Sequence, residues 1–112
     1  MRMWMTPPAM MCRKHLLGEH VECHMFLGTM IKNKSLKGYV DNNLFEMKSL
    51  FDRHQKLSDE MISRGYNHQS LIDYNVFLKA IDGYPAVIRD SKVDVDQSFN
   101  ELKSRCISCG KK

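Results

Sequence analysis

Between Cys12 and Phe26 the chain reads CRKHLLGEHVECHMF, a run of helical spacing that sets two glutamates and three histidines among apolar residues. No other stretch limits the fold so narrowly. At about 100° per residue, Cys12, His15, Glu19, Glu22 and Phe26 share one face. Leu16, Cys23, Leu27 and Met30 make an apolar stripe, and Leu17, Val21, Met25 and Gly28 make a second. A helix apolar on two flanks has no polar back to offer solvent, so the spacing predicts a central helix around which the rest packs. Carboxylates carried into the middle of a small protein are costly unless paired, hydrogen-bonded or used in chemistry. Glu19 and Glu22 therefore either join a buried network with Lys or Arg of other helices, or serve a site.

The remainder of the chain sets the fold class. Its 112 residues, 43% apolar, make one domain with a modest core. Nine methionines and few runs of Val, Ile and Thr favour helix packing over a sheet. The expected architecture is all-α: a compact single domain of about three helices, with a long central first helix and irregular loops. No segment approaches the roughly 20 apolar residues of a membrane span, and the first residues lack a signal-peptide pattern. The reading is a soluble, cytoplasmic monomer with no membrane partner. Seventeen Lys and Arg against thirteen Asp and Glu leave a net charge of +4, which suits an anionic partner such as nucleic acid.

Taken in order, Met1 to Thr6 is an extended lead, and Pro7 and Pro8 mark entry to a helix from about Pro8 to about Met30, with Thr6 as cap. Lys32 to Gly38, KNKSLKG, reads as a basic loop whose Lys32, Lys34 and Lys37 either touch phosphates or solvate a connector. Asn42 or Asn43 caps a second helix of about Leu44 to Arg64, ended by Gly65. Tyr66 to Val93 is irregular, with a helical turn or two between Ser70 and Ile81. A final helix from about Asp94 to Arg105 buries Val95, Phe99 and Leu102, followed by the tail CISCGKK.

Three constellations carry chemistry. The first is the terminus: with Arg2 following, Met1 keeps its place and its free α-amine, of reference pKa near 7.7 to 8.0, so that part of it is neutral and nucleophilic at physiological pH. Arg2 can hold a phosphate beside it. The alternative is an ordinary frayed end. The second is the Glu19/Glu22/His15 face, which can supply an acid and a base, or hold a divalent cation with His20 and His24 at i, i+4 spacing. The third joins Cys106-x-x-Cys109 to Cys12-x-x-His15. Together these four residues make a complete tetrahedral zinc set that would staple the tail to the first helix; otherwise the tail carries two loose thiols. Cys23 reads as a core filler.

The strings MRMWM, CRKHLLGEHVE and RGYNHQS resemble the pyrimidine-dimer DNA glycosylase/AP-lyase family, the endonuclease V group of T-even phages and its short phage and bacterial relatives. The short relatives are similar over nearly the whole length, including a cysteine pair near the end. The longer founding enzyme is matched mainly at HLLGEHVE and RGYNHQS, and weakly at VDVDQS. The resemblance implies a compact three-helix fold, with double-stranded DNA bearing a damaged or modified base as partner and no cofactor required for the chemistry. It implies that the Met1 amine attacks C1′ and forms a Schiff base, and that Glu22 moves protons through β-elimination, with Arg2, Lys14 and His15 near the DNA and Glu19 structural. Reaching a carbon inside a duplex also calls for extruding a nucleotide. Val21, Met25 and Phe99 stand where the founding enzyme has arginines, and CISCGKK replaces its aromatic, basic tail. A pyrimidine dimer, another modified base and abasic DNA thus all remain candidate substrates. The reading from another class is a non-catalytic, zinc-stapled or basic helical module that binds nucleic acid or protein.

Overall fold

The computed structural model describes residues 1–67 and 70–110. His68 and Gln69, within the RGYNHQS motif, and the final two lysines lie outside the described residues. Those described form no strand. They form six α-helices: α1 (Arg13–Ile31), α2 (Lys37–Asp41), α3 (Leu50–Ser63), α4 (Tyr74–Ile81), α5 (Ala86–Arg89) and α6 (Val95–Arg105). The all-α class holds, and the three longest helices are the three the periodicity predicts. The three shorter ones occupy the connections. No helix among the described residues is long and apolar enough to cross a membrane.

The first helix starts later than the proline signal suggests. Pro8–Met10 makes only a 3-10 turn, and α1 begins after Cys12, whose extended backbone occupies the N-cap. Thr6 is not a cap: it is buried, and its carbonyl accepts a hydrogen bond from Arg53 Nη1 at 2.7 Å. The second long helix likewise starts at Leu50 rather than Leu44, after a 3-10 turn at Met47–Ser49. Asn43 adopts a left-handed φ of 58°, which turns the chain before the Leu44 carbonyl accepts from Met3 N at 2.7 Å. That pairing takes residues 44 to 46 out of the helix. Gly65, at φ +84°, ends α3 as expected, with its N–H and that of Tyr66 returning to Ile62 and Met61.

The core is built on one flank of α1. Leu16, Cys23, Phe26, Leu27 and Met30 are buried against Leu50, Leu57 and Met61 of α3 and Phe77 of α4. Phe26 lies 4.5 Å from the Phe45 ring centroid and 5.2 Å from that of Tyr39. The second predicted stripe is not core: Val21 and Met25 are 55% and 50% exposed, because α3 and α4 cover only part of α1. Asp94 caps α6 through a bond from Gln97 N, and Leu102 is buried as predicted, whereas Val95 is exposed and Ser98 is buried in its stead.

One charged pair lies inside this seam. Glu19 on α1 receives Arg53 Nε at 2.6 Å and Nη2 at 2.8 Å, and both side chains are nearly inaccessible to water. The bidentate fork lowers the desolvation cost that a buried carboxylate otherwise carries. Arg53 also reaches the Thr6 carbonyl, so one guanidinium ties α1, α3 and the N-terminal segment together.

Candidate functional site

The N-terminal segment is fastened along its length. Met3 is fully buried, donates its N–H to Leu44 and offers its sulfur to Glu46 N at 3.4 Å. Trp4 is buried, and its carbonyl accepts from Ser98 Oγ at 2.6 Å. Met5 then takes a left-handed φ of 56°, and the turn carries the chain on to Thr6 under Arg53. The terminus is therefore ordered rather than frayed.

This anchoring brings the Met1 α-amine to 3.7 Å from Glu22 Oε1, with both side chains largely shielded. Around them is an open cleft of about 640 Å³, bordered by Arg2, Trp4, His15, Glu101 and Arg105 among others. Arg2 donates to Glu101 Oε2 at 2.8 Å and to Ser98 Oγ at 3.3 Å, and its guanidinium lies 3.7 Å from the centre of the Trp4 ring. The Arg2 hydrogen bond holds the Glu101 carboxyl below its usual value. Arg105 also pairs with Glu101 and stands 6.0 Å over Trp4. Positive charge is thus stacked on a buried indole beside the cleft, an arrangement suited to an anionic group such as a phosphate.

Beside the cleft, the cysteine tail returns to the start of α1. Cys12 Sγ lies 3.2 Å from His15 Nδ1 and 3.8 Å from Cys106 Sγ, while Cys109 Sγ lies 3.6 Å from His15 Nδ1 and accepts from Cys12 N at 3.2 Å. The Gly110 N–H closes the tail onto the Met10 carbonyl at 2.7 Å. All four ligand atoms fall within 4.8 Å of one another, and the four cysteines are free thiols. Burial, with the Lys14 charge, holds His15 below its ordinary value, which favours the neutral imidazole a metal takes. Backbone N–H bonds from Ser108 lower the Cys106 thiol, whereas burial pushes Cys109 up to about 12.

Met1, Arg2, His15 and Glu22 therefore converge on one cleft, and Cys12, His15, Cys106 and Cys109 on one cluster. His15 belongs to both groups: its Nδ1 faces the thiols while the same ring also borders the cleft. Glu19 faces the buried seam instead. Lys14 lies on the adjoining surface with Trp4, His15 and Glu22, but Lys32, Lys34 and Lys37 do not border the cleft. Lys37 instead pairs with Asp41 within α2. Sequence reasoning missed Trp4, Glu101 and Arg105. A lone tryptophan inside MRMWM and an i, i+4 acid–base pair on the last helix were the available signals.

The family model described as pyrimidine dimer DNA glycosylase matches residues 1–74. The chain belongs to that family. The matched span contains Met1, α1 and α3, hence both sides of the Met1–Glu22 contact, and stops before the cysteine tail. No curated protein and no solved structure matches the chain.

Proposed function

We propose that this member of the pyrimidine dimer DNA glycosylase family is a DNA glycosylase and AP lyase that acts on duplex DNA carrying a damaged or modified base. The 3.7 Å approach of the Met1 amine to Glu22 carries this reading. An ammonium must lose a proton before it can attack. Glu22 can accept it across a gap that one water or a small shift closes, and hydrogen bonds of this kind commonly tighten only when substrate binds. The neutral amine then adds to C1′ as the glycosidic C–N bond breaks and the base departs; Glu22 returns the proton it took to O4′, the C1′–O4′ bond opens, and an iminium results. Removal of a C2′ proton, with Glu22 as base, expels the 3′ phosphate and nicks the strand. Arg2 and Arg105 balance the phosphate charge of the extruded nucleotide, and the buried Trp4 ring behind Arg2 holds that guanidinium in place.

The same reading gives the tail a structural zinc. A tetrahedral zinc at ordinary bond lengths spans about 3.8 Å between two sulfurs and about 3.6 Å from sulfur to nitrogen. The separations of 3.8, 3.6 and 3.2 Å among Cys12, Cys106, Cys109 and His15 fit that frame. No chemical step passes through the ion. It fixes the start of α1 and one face of His15.

Borohydride reduction in the presence of a duplex with an abasic site tests the chemistry, and a thymine-dimer duplex run in parallel separates lyase from glycosylase action. The expected result is a covalent protein–DNA adduct whose attached residue, located by peptide mass spectrometry, is Met1. No adduct on either duplex, or one that survives blocking of the α-amine, would overturn the nucleophile and favour a non-catalytic binding module. For zinc, purified protein should hold metal that is lost when Cys106 and Cys109 are both changed to Ser.

A further inference from the structure

Three further histidines meet where α1 crosses α3. His20 and His24, one turn apart on α1, face His54 of α3, with ring centroids separated by 5.2, 4.5 and 4.6 Å. His54 Nε2 and His24 Nε2 approach to 2.9 Å, and one ligating nitrogen from each of the three rings lies within 4.8 Å of the others. His20 and His54 are buried, at 6% and 2% exposure, and His24 lies toward solvent. Two of these nitrogens already share a hydrogen bond, and the third lies within the reach that one metal ion would bridge.

We propose that His20, His24 and His54 form a second metal site, which takes a divalent first-row transition ion such as zinc. An all-imidazole set suits Zn, Co, Ni or Cu and excludes Mg and Ca, which require oxygen ligands. Three nitrogens at about 2.0 to 2.1 Å from zinc stand about 3.3 Å apart, so the His24–His54 pair need open only slightly from its 2.9 Å approach, and His20 lies within 4.8 Å of both. Entry is past His24, and the fourth position is left to water or another ligand. The ion's role is to clamp the α1–α3 seam. His20 and His54 directly follow Glu19 and Arg53 in the sequence, so the metal and the buried ion pair would lock the same two helix turns. That seam sets where α1 presents Glu22. The inference stands apart from the thiolate cluster, since it shares no ligand with it.

The full chain, stripped of metal with a chelator and titrated with Co²⁺, should bind two equivalents. One should show a sulfur-to-cobalt charge-transfer band and the other only ligand-field bands. In the Cys106→Ser/Cys109→Ser double variant the ligand-field equivalent should remain, and Zn²⁺ should shift the imidazole nitrogen resonances of His20, His24 and His54. His24→Ala, at the least buried ligand, should keep the charge-transfer equivalent and lose the other. A single wild-type equivalent that carries the charge-transfer band, no binding or shifted histidine resonances in the double-cysteine variant, or an unchanged second equivalent in His24→Ala would each overturn the site, whereas a single equivalent with only ligand-field bands would overturn the cysteine site instead. The double-cysteine variant keeps all three histidines, so its outcome is independent of whether His24→Ala folds.

Discussion

Glu19 and Glu22 stand three residues apart on one helix, on the same predicted face, yet they meet opposite surroundings. Glu19 is turned into the α1–α3 seam, where Arg53 grips both its oxygens. Glu22 borders an open cleft, where an α-amine stands at 3.7 Å without closing a hydrogen bond. One carboxylate is held by a bidentate cation that leaves it no freedom. The other faces a group that can give up its proton and meets solvent on one side. The difference shows that helical position alone does not set a carboxylate's surroundings, nor which of the two suits the proposed chemistry. What divides them is whether the opposing cation is permanent, like a guanidinium, or can become neutral, like an amine.

The largest expected effect comes from Glu22→Gln. It should lower strand nicking at an abasic site by about 10²- to 10⁴-fold, the usual range for a general acid–base group, while duplex binding and melting temperature stay near wild type. Single-turnover nicking assays and thermal melts would check this, and unchanged nicking would assign the proton transfers elsewhere. Glu19→Gln should behave in the reverse way. Leaving the Arg53 guanidinium buried and half-paired should cost roughly 3 to 5 kcal/mol of folding stability, measured by urea unfolding. Nicking by the folded fraction should be only modestly affected. If both variants shift the same property, the two carboxylates form one network and the contrast fails.

A smaller effect sharpens the cleft side. Glu101 is held below the usual glutamate value by Arg2, so the stabilisation from this contact is present above about pH 4.3 and is lost as pH falls through the depressed folded value. Arg2→Ala should therefore move the Glu101 carboxyl resonance to titrate at higher pH. The difference in melting temperature between variant and wild type should narrow on acidification. Smallest of all, Lys37→Ala removes an exposed pair with Asp41 and should change stability by no more than about 0.5 kcal/mol. A larger loss would mean that α2 does more than close a turn.

Much of this arrangement is legible in the sequence, and the failures share a physical cause. The stripe of Leu16, Cys23, Leu27 and Met30 identifies the central helix because burial demands a fixed period. Cys12-x-x-His15 and Cys106-x-x-Cys109 are legible for a different reason: each short spacing sets two donor side chains on one turn, and the fold brings the four donor atoms within 4.8 Å of one another. Periodicity cannot say how many flanks are covered, so Val21 and Met25, apolar but exposed, look like core. Asn43 resembles a helix cap locally, but the pairing of Leu44 with Met3, 41 residues earlier in the chain, holds the segment extended. The basic loop at Lys32, Lys34 and Lys37 advertises charge without location. Arg105 and Trp4 matter only because α6 and the first residues meet in space.

The anchoring of the first residues has a consequence for biosynthesis. Met1 leaves the ribosome first, but Arg2 and Trp4 are fixed by Ser98 and Glu101, more than ninety positions downstream. Domains emerge N-terminus first, so the beginning of this chain must wait in an unfinished state until α6 has been made. A nascent or truncated product ending before α6 would carry the amine and Glu22 without the contacts that hold them in register. Translation itself would thus act as a safety catch, with the proposed site taking shape only once α6 is present.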